Sequence, residues 1–264
     1  MRGIVTLTTD FGLQDPFVAV LKGQILRRAR DLQLIDISHA ISPYRPAEAG
    51  FWLERAARFF PAGTVHVAVV DPGVGTARAL IAVQSGGQIF LAPDNGLLAG
   101  IAGRPDAVAR RIAASTWAAV DAVVEGATFH GRDLLAPLAG ELATGRRDFA
   151  SLGEVCEPVK VKELPPVVQQ GERFVGEVVT VDHFGNLFSN IDENLLDRSR
   201  LWSVTICGRE LRRVGAYGEA PAGELIALVN SWGVVEVAEV AGNAARRLDA
   251  GRGEPVTLEY RPSG

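Results

Sequence analysis

Through the first 155 or so residues, short runs rich in β-branched residues alternate with longer stretches whose apolar positions recur at helical spacing. IVTLTT (residues 4–9) reads as a strand, and PFVAVLKGQILRRA (16–29) as a helix with proline in its first turn. LQLIDIS (32–38) is again strand-like, followed by a helix through AEAGFWLERAARFF (47–60). TVHVAVV (64–70), ALIAVQS (79–85) and QIFLAP (88–93) predict three more strands, the first two separated by the turn DPGVGTAR, and a last helix starts near HGRDLLAPLAGELATG (130–145). Near-continuous apolar strands interleaved with helices predict a largely parallel sheet covered on both faces.

The pattern changes after about residue 155. EPVKVKELPPVVQQGERF mixes Pro, Lys, Gln and Gly without helical period, as a connector does. Beyond it VGEVVTVD, WSVTI, ELIALVN, GVVEVAEV and PVTLEY predict short strands with no long helix between them, hence a small β-barrel or sandwich. The expected organisation is an α/β domain over 1–158, a linker over 159–172 and an all-β domain over 173–264.

Composition narrows the class. The chain has 264 residues, 47% hydrophobic and 22% charged, with a formal charge of −4 and no dense Lys/Arg cluster, which argues against nucleic acid as a partner. The Arg-rich stretches at 27–30 and 110–111 read as solvated faces. Two cysteines, Cys156 and Cys207, lack the number for a disulfide framework and the spacing of a zinc site. No run of about 18 apolar residues predicts a membrane span, and the first acidic residue follows the N-terminus too closely for a signal peptide, so a cytoplasmic location is expected.

TTDFG (8–12) contains the metal-holding triplet of protein kinases, but the Gly-rich loop, strand lysine and catalytic loop that must precede it are missing. Asp10 is better explained by its position. Three strands of the first domain run into an aspartate, Asp10, Asp71 and Asp94, and in a parallel sheet these carboxyl ends face one crevice where ligands bind. Each alone is also a common turn or capping residue. The glycines and proline of DPGVGTAR force a tight loop that lets Arg78 fold back onto Asp71, unless the segment is a plain hairpin turn with an exposed ion pair. His130 stands where a helix begins, a place that favours a neutral imidazole, whereas His39 and His66 fit structural roles. Asp10, Asp71 and His130 are the set a divalent metal would use, although Arg78 would compete for Asp71. In VDHFGNLFSNI (181–191), Asp182, Asn186, Ser189 and Asn190 are too polar for a plain strand; with Phe184 and Phe188 they suit a planar heterocycle, or form a polar turn over two core phenylalanines.

TTDFG, DPGVG followed by Arg, PDNGLL, FHGRD, DHFGN and NS-x-G…GNAA occur in order across nearly the whole chain. In these motifs the sequence resembles the S-adenosyl-L-methionine (SAM) hydrolases, or SAM hydroxide adenosyltransferases, relatives of the SAM-dependent fluorinases and chlorinases. The resemblance implies attack of water or hydroxide on C5′ of SAM to give adenosine and methionine, without cofactor or metal. It assigns the catalytic triad to Asp71, Arg78 and His130, the ribose diol to Asp10, the methionine portion to Asp15, Asp182 and Ser231, and the adenine to Phe184 and Asn186. It also implies a homotrimer with each site shared between the N-domain of one subunit and the C-domain of its neighbour.

Overall fold

The computed structural model describes residues 3–119, 128–159, 164–197 and 199–261. Two compact units divide the chain, Met1–Lys162 and Glu163–Gly264.

The first unit contains β1 (Ile4–Thr9), α1 (Phe17–Arg28), β2 (Gln33–Ser38), α2 (Pro46–Ala57), β3 (Val65–Val69), β4 (Leu80–Ser85), β5 (Gln88–Pro93), α3 (Ala99–Ala102), β6 (Val108–Arg111), α4 (Ala114–Ala119) and α5 (Ala136–Ala143), the last preceded by one π-helical turn over Gly131–Leu135. Its strands lie in the order β2-β1-β3-β5-β4-β6. The pairings β2-β1, β1-β3 and β3-β5 are parallel, and those of β4 with β5 and β6 are antiparallel, so the sheet is mixed. β5 lies between β3 and β4, which rules out a simple hairpin for DPGVGTAR and leaves that loop free to wrap over the strand ends.

Alternate residues of β3 feed two cores, as strands covered on both faces must. Val65, Val67 and Val69 face a cluster with Leu21, Ile25, Leu135 and Leu138 from α1, α5 and the turn before α5. Ala68 on β3 and the adjacent Val70 face Ala49, Leu53 and Ile101 from α2 and α3. Full burial of each such side chain contributes about 1.5–3 kcal/mol, which makes these two layers the main source of stability. α2 approaches so closely that a Cβ on Gly50 would stand 2.3 Å from the Leu97 carbonyl oxygen, a contact that only glycine permits.

The second unit contains β7 (Val168–Gln170), β8 (Arg173–Val181), β9 (Leu187–Asp192), β10 (Trp202–Ile206), β11 (Arg209–Arg212), β12 (Leu225–Val229), β13 (Val234–Glu239), α6 (Ala244–Leu248) and β14 (Pro255–Tyr260). The order is β11-β10-β14-β8-β9-β13-β12, with β7 also on β8, and a bridge from Arg213 to Ala227 nearly closes the barrel. β7 falls within the stretch expected to be a connector; residues 160–163 of that stretch lie outside the described ones. The polar run expected to resist strand formation is β9. Its Ser189 hydroxyl donates to the Val235 carbonyl at 2.8 Å, and Asn190 Oδ1 accepts the Glu177 N–H at 2.9 Å where the β8–β9 register shifts. Side chains thus replace ladder hydrogen bonds at the irregularity.

Candidate active site

Because β1, β3 and β5 are parallel neighbours, their carboxyl ends fall on one edge and carry Asp10, Asp71 and Asp94 there. Asp10 and Asp71 line a cavity of about 360 Å³ together with His130. Asp94 does not; its carboxylate accepts the Val159 N–H at 2.8 Å.

The loop after β3 builds the centre of the site. Gly75 takes φ +81°, and the Thr76 hydroxyl donates to the Gly73 carbonyl at 2.7 Å while accepting the Arg78 N–H at 3.3 Å. The Gly73 N–H donates to Asp71 Oδ1 at 3.2 Å, and a Cβ on Gly73 would lie 3.3 Å from Arg78 Cγ. The chain therefore returns over itself and lays Arg78 along Asp71. Arg78 Nε donates to both Asp71 oxygens at 2.9 Å, and Nη2 contacts Oδ2 as well. With side chains only 9% and 7% exposed, this is a buried charge-assisted pair, not an exposed turn contact.

His130 arrives from the opposite direction. Gly131, first residue of the π-helical turn, packs on the end of β3, where an added Cβ would meet Val69 Cγ2 at 3.1 Å. That contact sets His130 beside the pair, with Arg78 Nη2 2.9 Å from its Nδ1. A guanidinium only donates, so Nδ1 must accept and the imidazole is neutral with its proton on Nε2. Burial, then the Arg78 charge, lowers the His130 pKa from its ordinary value, whereas Asp71 acts the other way. Burial and the guanidinium, rather than a helix N-terminus, are what favour the neutral ring here. Arg78 Nη1 is buried without a hydrogen-bond partner among the described residues. An orphaned donor of this kind is costly unless a ligand oxygen satisfies it.

Asp10 Oδ2 accepts the backbone N–H of Tyr44 at 3.0 Å. Tyr44 adopts φ +63°, a left-handed conformation that costs a non-glycine residue about 1–2 kcal/mol. Burial raises the Asp10 pKa, the Tyr44 N–H opposes the shift, and the Asp71 charge adds to it. The ring of Phe11 packs edge-on against those of Phe17 and Phe129 at 5.9 and 5.5 Å between centroids, making the cavity wall apolar. Asp15 is exposed on the loop before α1 and does not line this cavity.

In the second unit, Asp182, Phe184, Asn186 and Ser231 line one cleft of about 800 Å³. Asp182 organises the turn that presents the others: Oδ1 accepts the Phe184 and Asn186 N–H groups at 2.9 and 2.8 Å, and Oδ2 accepts Asn186 Nδ2 at 2.9 Å. Asn186 is so held in a buried position, and the Phe184 ring is 70% exposed beside it. Glu236 and Tyr217 also line the cleft and were not among the expected residues. Glu236 is 1% exposed in the middle of the apolar strand β13. Alternation along that strand points it away from the barrel core, a position that reads as solvent-facing in sequence.

Together these features define a two-domain protein in which a mixed α/β sheet carries a buried Asp–Arg–His cluster and an antiparallel barrel carries an amide- and aromatic-lined cleft. Residues 5–153 match the model for the SAM hydroxide adenosyltransferase N-terminal domain, and residues 176–257 match that for the C-terminal domain. The chain belongs to the SAM hydroxide adenosyltransferase family. It is 38% identical to an (R)-S-adenosyl-L-methionine hydrolase of Salinispora arenicola, across 96% of this chain and 97% of that protein. A fluorinase of Actinoplanes matches at 26% identity across 97% of both. Among solved structures, an uncharacterized conserved protein from Thermotoga maritima superposes with a TM-score of 0.84 at 32% identity, covering 97% of this chain and 99% of that one.

Proposed function

We propose that this protein hydrolyses SAM to adenosine and L-methionine. The observation that carries the reading is the Arg78 guanidinium, clamped by Asp71 and His130 with one buried amino group unpartnered beside a nucleoside-sized cavity. The oxygen that group would hold is the attacking water. Its oxygen bonds to C5′, the C5′–S bond breaks, and methionine leaves with the electron pair, which neutralises the sulfonium. His130 offers the only neutral lone pair of the cluster and takes the water's proton at Nδ1 as the Arg78 contact opens. The sulfonium is already a good leaving group, so alignment supplies most of the catalysis and no cofactor is required. A metal at Asp71 would have to displace Arg78. Relatives named for (R)-SAM support the same sulfonium configuration for this substrate. The reading carries with it a homotrimer, measurable by light scattering, and a cytoplasmic location.

Asp10 takes the ribose diol, since a carboxylate accepts from two adjacent hydroxyls. Asp10→Ala is expected to raise KM for SAM about tenfold, equivalent to one lost hydrogen-bonding partner, with kcat changed far less. The Asp10 pKa is raised, so its accepting form is lost as pH falls through a value above the group's ordinary one. Wild-type KM should therefore rise on the acid side, and the variant's should not.

The test of the reaction is incubation of metal-stripped protein with SAM in ¹⁸O-labelled water, with excess chloride in a parallel sample. Labelled adenosine and free methionine in both establish hydrolysis. 5′-Chloroadenosine would assign the site to halide transfer, and recovery of intact SAM would leave only a binding module.

A further inference from the structure

Glu236 is the most deeply buried carboxylate in the second unit's cleft, and the reaction proposed above leaves it unused. It stands between Leu228 of β12 and Phe188 of β9 in the ladder. Its neighbours Val235 and Val237 point into the barrel core. Its partners are two neutral donors: the Tyr217 hydroxyl contacts Oε1, and Asn230 Nδ2 reaches Oε2 at 2.9 Å. No cation pairs with it among the described residues. A buried carboxylate without a counter-charge is costly to place, and two neutral hydrogen bonds are what hold it there.

Each partner leads to one wall of the cleft. Asn230 Oδ1 accepts the N–H groups of Trp232 and Val234 at 3.0 and 3.3 Å, and the Gly233 N–H returns to the Asn230 carbonyl at 3.0 Å. This closes a turn with Ser231 near its apex. Reversing the Asn230 amide would set its amino group against those N–H donors and its oxygen against Glu236, so the turn and the carboxylate hold one orientation together. On the other side, Tyr217 opens the short turn Tyr217–Glu219, whose Glu219 carboxylate accepts the Gly215 N–H at 2.9 Å. Glu236 therefore ties the Ser231 turn and the Tyr217 segment to one strand. Asp182 completes the cleft, and its charge acts on both Glu236 and Tyr217. Glu239 also lines the cleft but is paired with Arg247; Asp182 and Glu236, which have no such cation partner among the described residues, and the aromatic walls favour a ligand end that carries a positive charge.

We propose that Glu236 is a positioning residue for the amino-acid end of SAM, acting through Asn230 and Tyr217 to hold the Ser231 turn and the opposite wall in the geometry that receives the α-ammonium group. The proposal rests on the SAM-hydrolase reading of the site. The effect of Glu236 runs through these two partners. What it determines is discrimination between ligands that carry the amino-acid portion and ligands that lack it. In Glu236→Gln the shape remains, but the negative charge is lost and, with Asn230 Nδ2 kept on the amide oxygen, the Tyr217 hydroxyl must turn from donor to acceptor.

Calorimetric titration of wild type and Glu236→Gln with S-adenosylhomocysteine and with 5′-methylthioadenosine tests this, since only the first carries the amino-acid end. Glu236→Gln should weaken S-adenosylhomocysteine about tenfold and leave 5′-methylthioadenosine within about twofold, the contrast one positioned polar contact gives. Equal weakening of both ligands, or of neither, in a wild type that turns over SAM would overturn the proposal and leave the reaction standing. A wild type that leaves SAM intact would overturn both. Should Glu236→Gln fail to fold, Tyr217→Phe, which removes a single hydroxyl, is read on the same two ligands and decides by the same contrast.

Discussion

Asp71→Asn is expected to lower kcat for SAM by roughly a hundredfold or more, the usual cost of disordering one preorganised donor at a reacting centre. It should also destabilise the first unit by about 3 kcal/mol, as removal of one partner from a buried ion pair does. The substitution preserves size, so neither effect comes from a cavity. Asparagine offers one oxygen where Arg78 now uses two, and its amino group would face the Nη2 donor. The guanidinium cannot discharge by losing a proton and stays buried with its charge uncompensated. With Arg78 no longer held in the plane that meets His130, the Nη1 group that is to align the nucleophile loses its position. Thermal melting should fall by roughly 6–12 °C, from about 2–4 °C per kcal/mol in a protein of this size. Steady-state rates at saturating SAM, measured well below the variant's midpoint, separate catalysis from unfolding. Wild-type melting would show that the pair contributes nothing to stability, and wild-type turnover would remove Asp71 from the chemistry.

The location of this pair was legible because its determinants are local. Apolar strands running into aspartate mark strand ends, and the glycines of DPGVG permit the short return that brings Arg78 to Asp71. The exposure of the pair was not legible, because it depends on β5 lying between β3 and β4. Strand order is a property of tertiary pairing, and consecutive β3 and β4 invite a hairpin that does not form. Tyr44 was invisible for a related reason: nothing in ISPYRP announces a left-handed tyrosine, and only the Asp10 carboxylate across the cavity gives that conformation a partner.

In the second unit, DHFGN announced a polar turn, and the hydrogen bonds of Asp182 show why that spacing forms one. The same polarity concealed β9, since side-chain bonds at a register shift leave no trace in a period-2 pattern. Glu236 was concealed by the opposite error. Alternation alone places it away from the barrel core, and the Tyr217 segment and Asn230 close over that face.

His130→Asn is expected to reduce kcat by roughly 10²–10⁴-fold, the range general base catalysis contributes, with melting temperature and SAM affinity close to wild type. The asparagine carboxamide oxygen can occupy the place of Nδ1 and accept the Arg78 Nη2 donor, so the scaffold around Asp71 persists while the titrating base is lost. The pH profile provides the second readout. Burial and the Arg78 charge place the His130 pKa below its ordinary value of 6.5, so the active neutral ring persists to below that pH. When pH falls further the ring gains a proton, can no longer accept one from water, and sets an N–H against Arg78. Wild-type kcat/KM should thus be flat through neutrality and fall on an acid limb below 6.5, whereas the variant should show no step from this group. Near-wild-type turnover in His130→Asn would assign His130 to holding Arg78 in place, and the proton of the attacking water would then have to pass to Asp71.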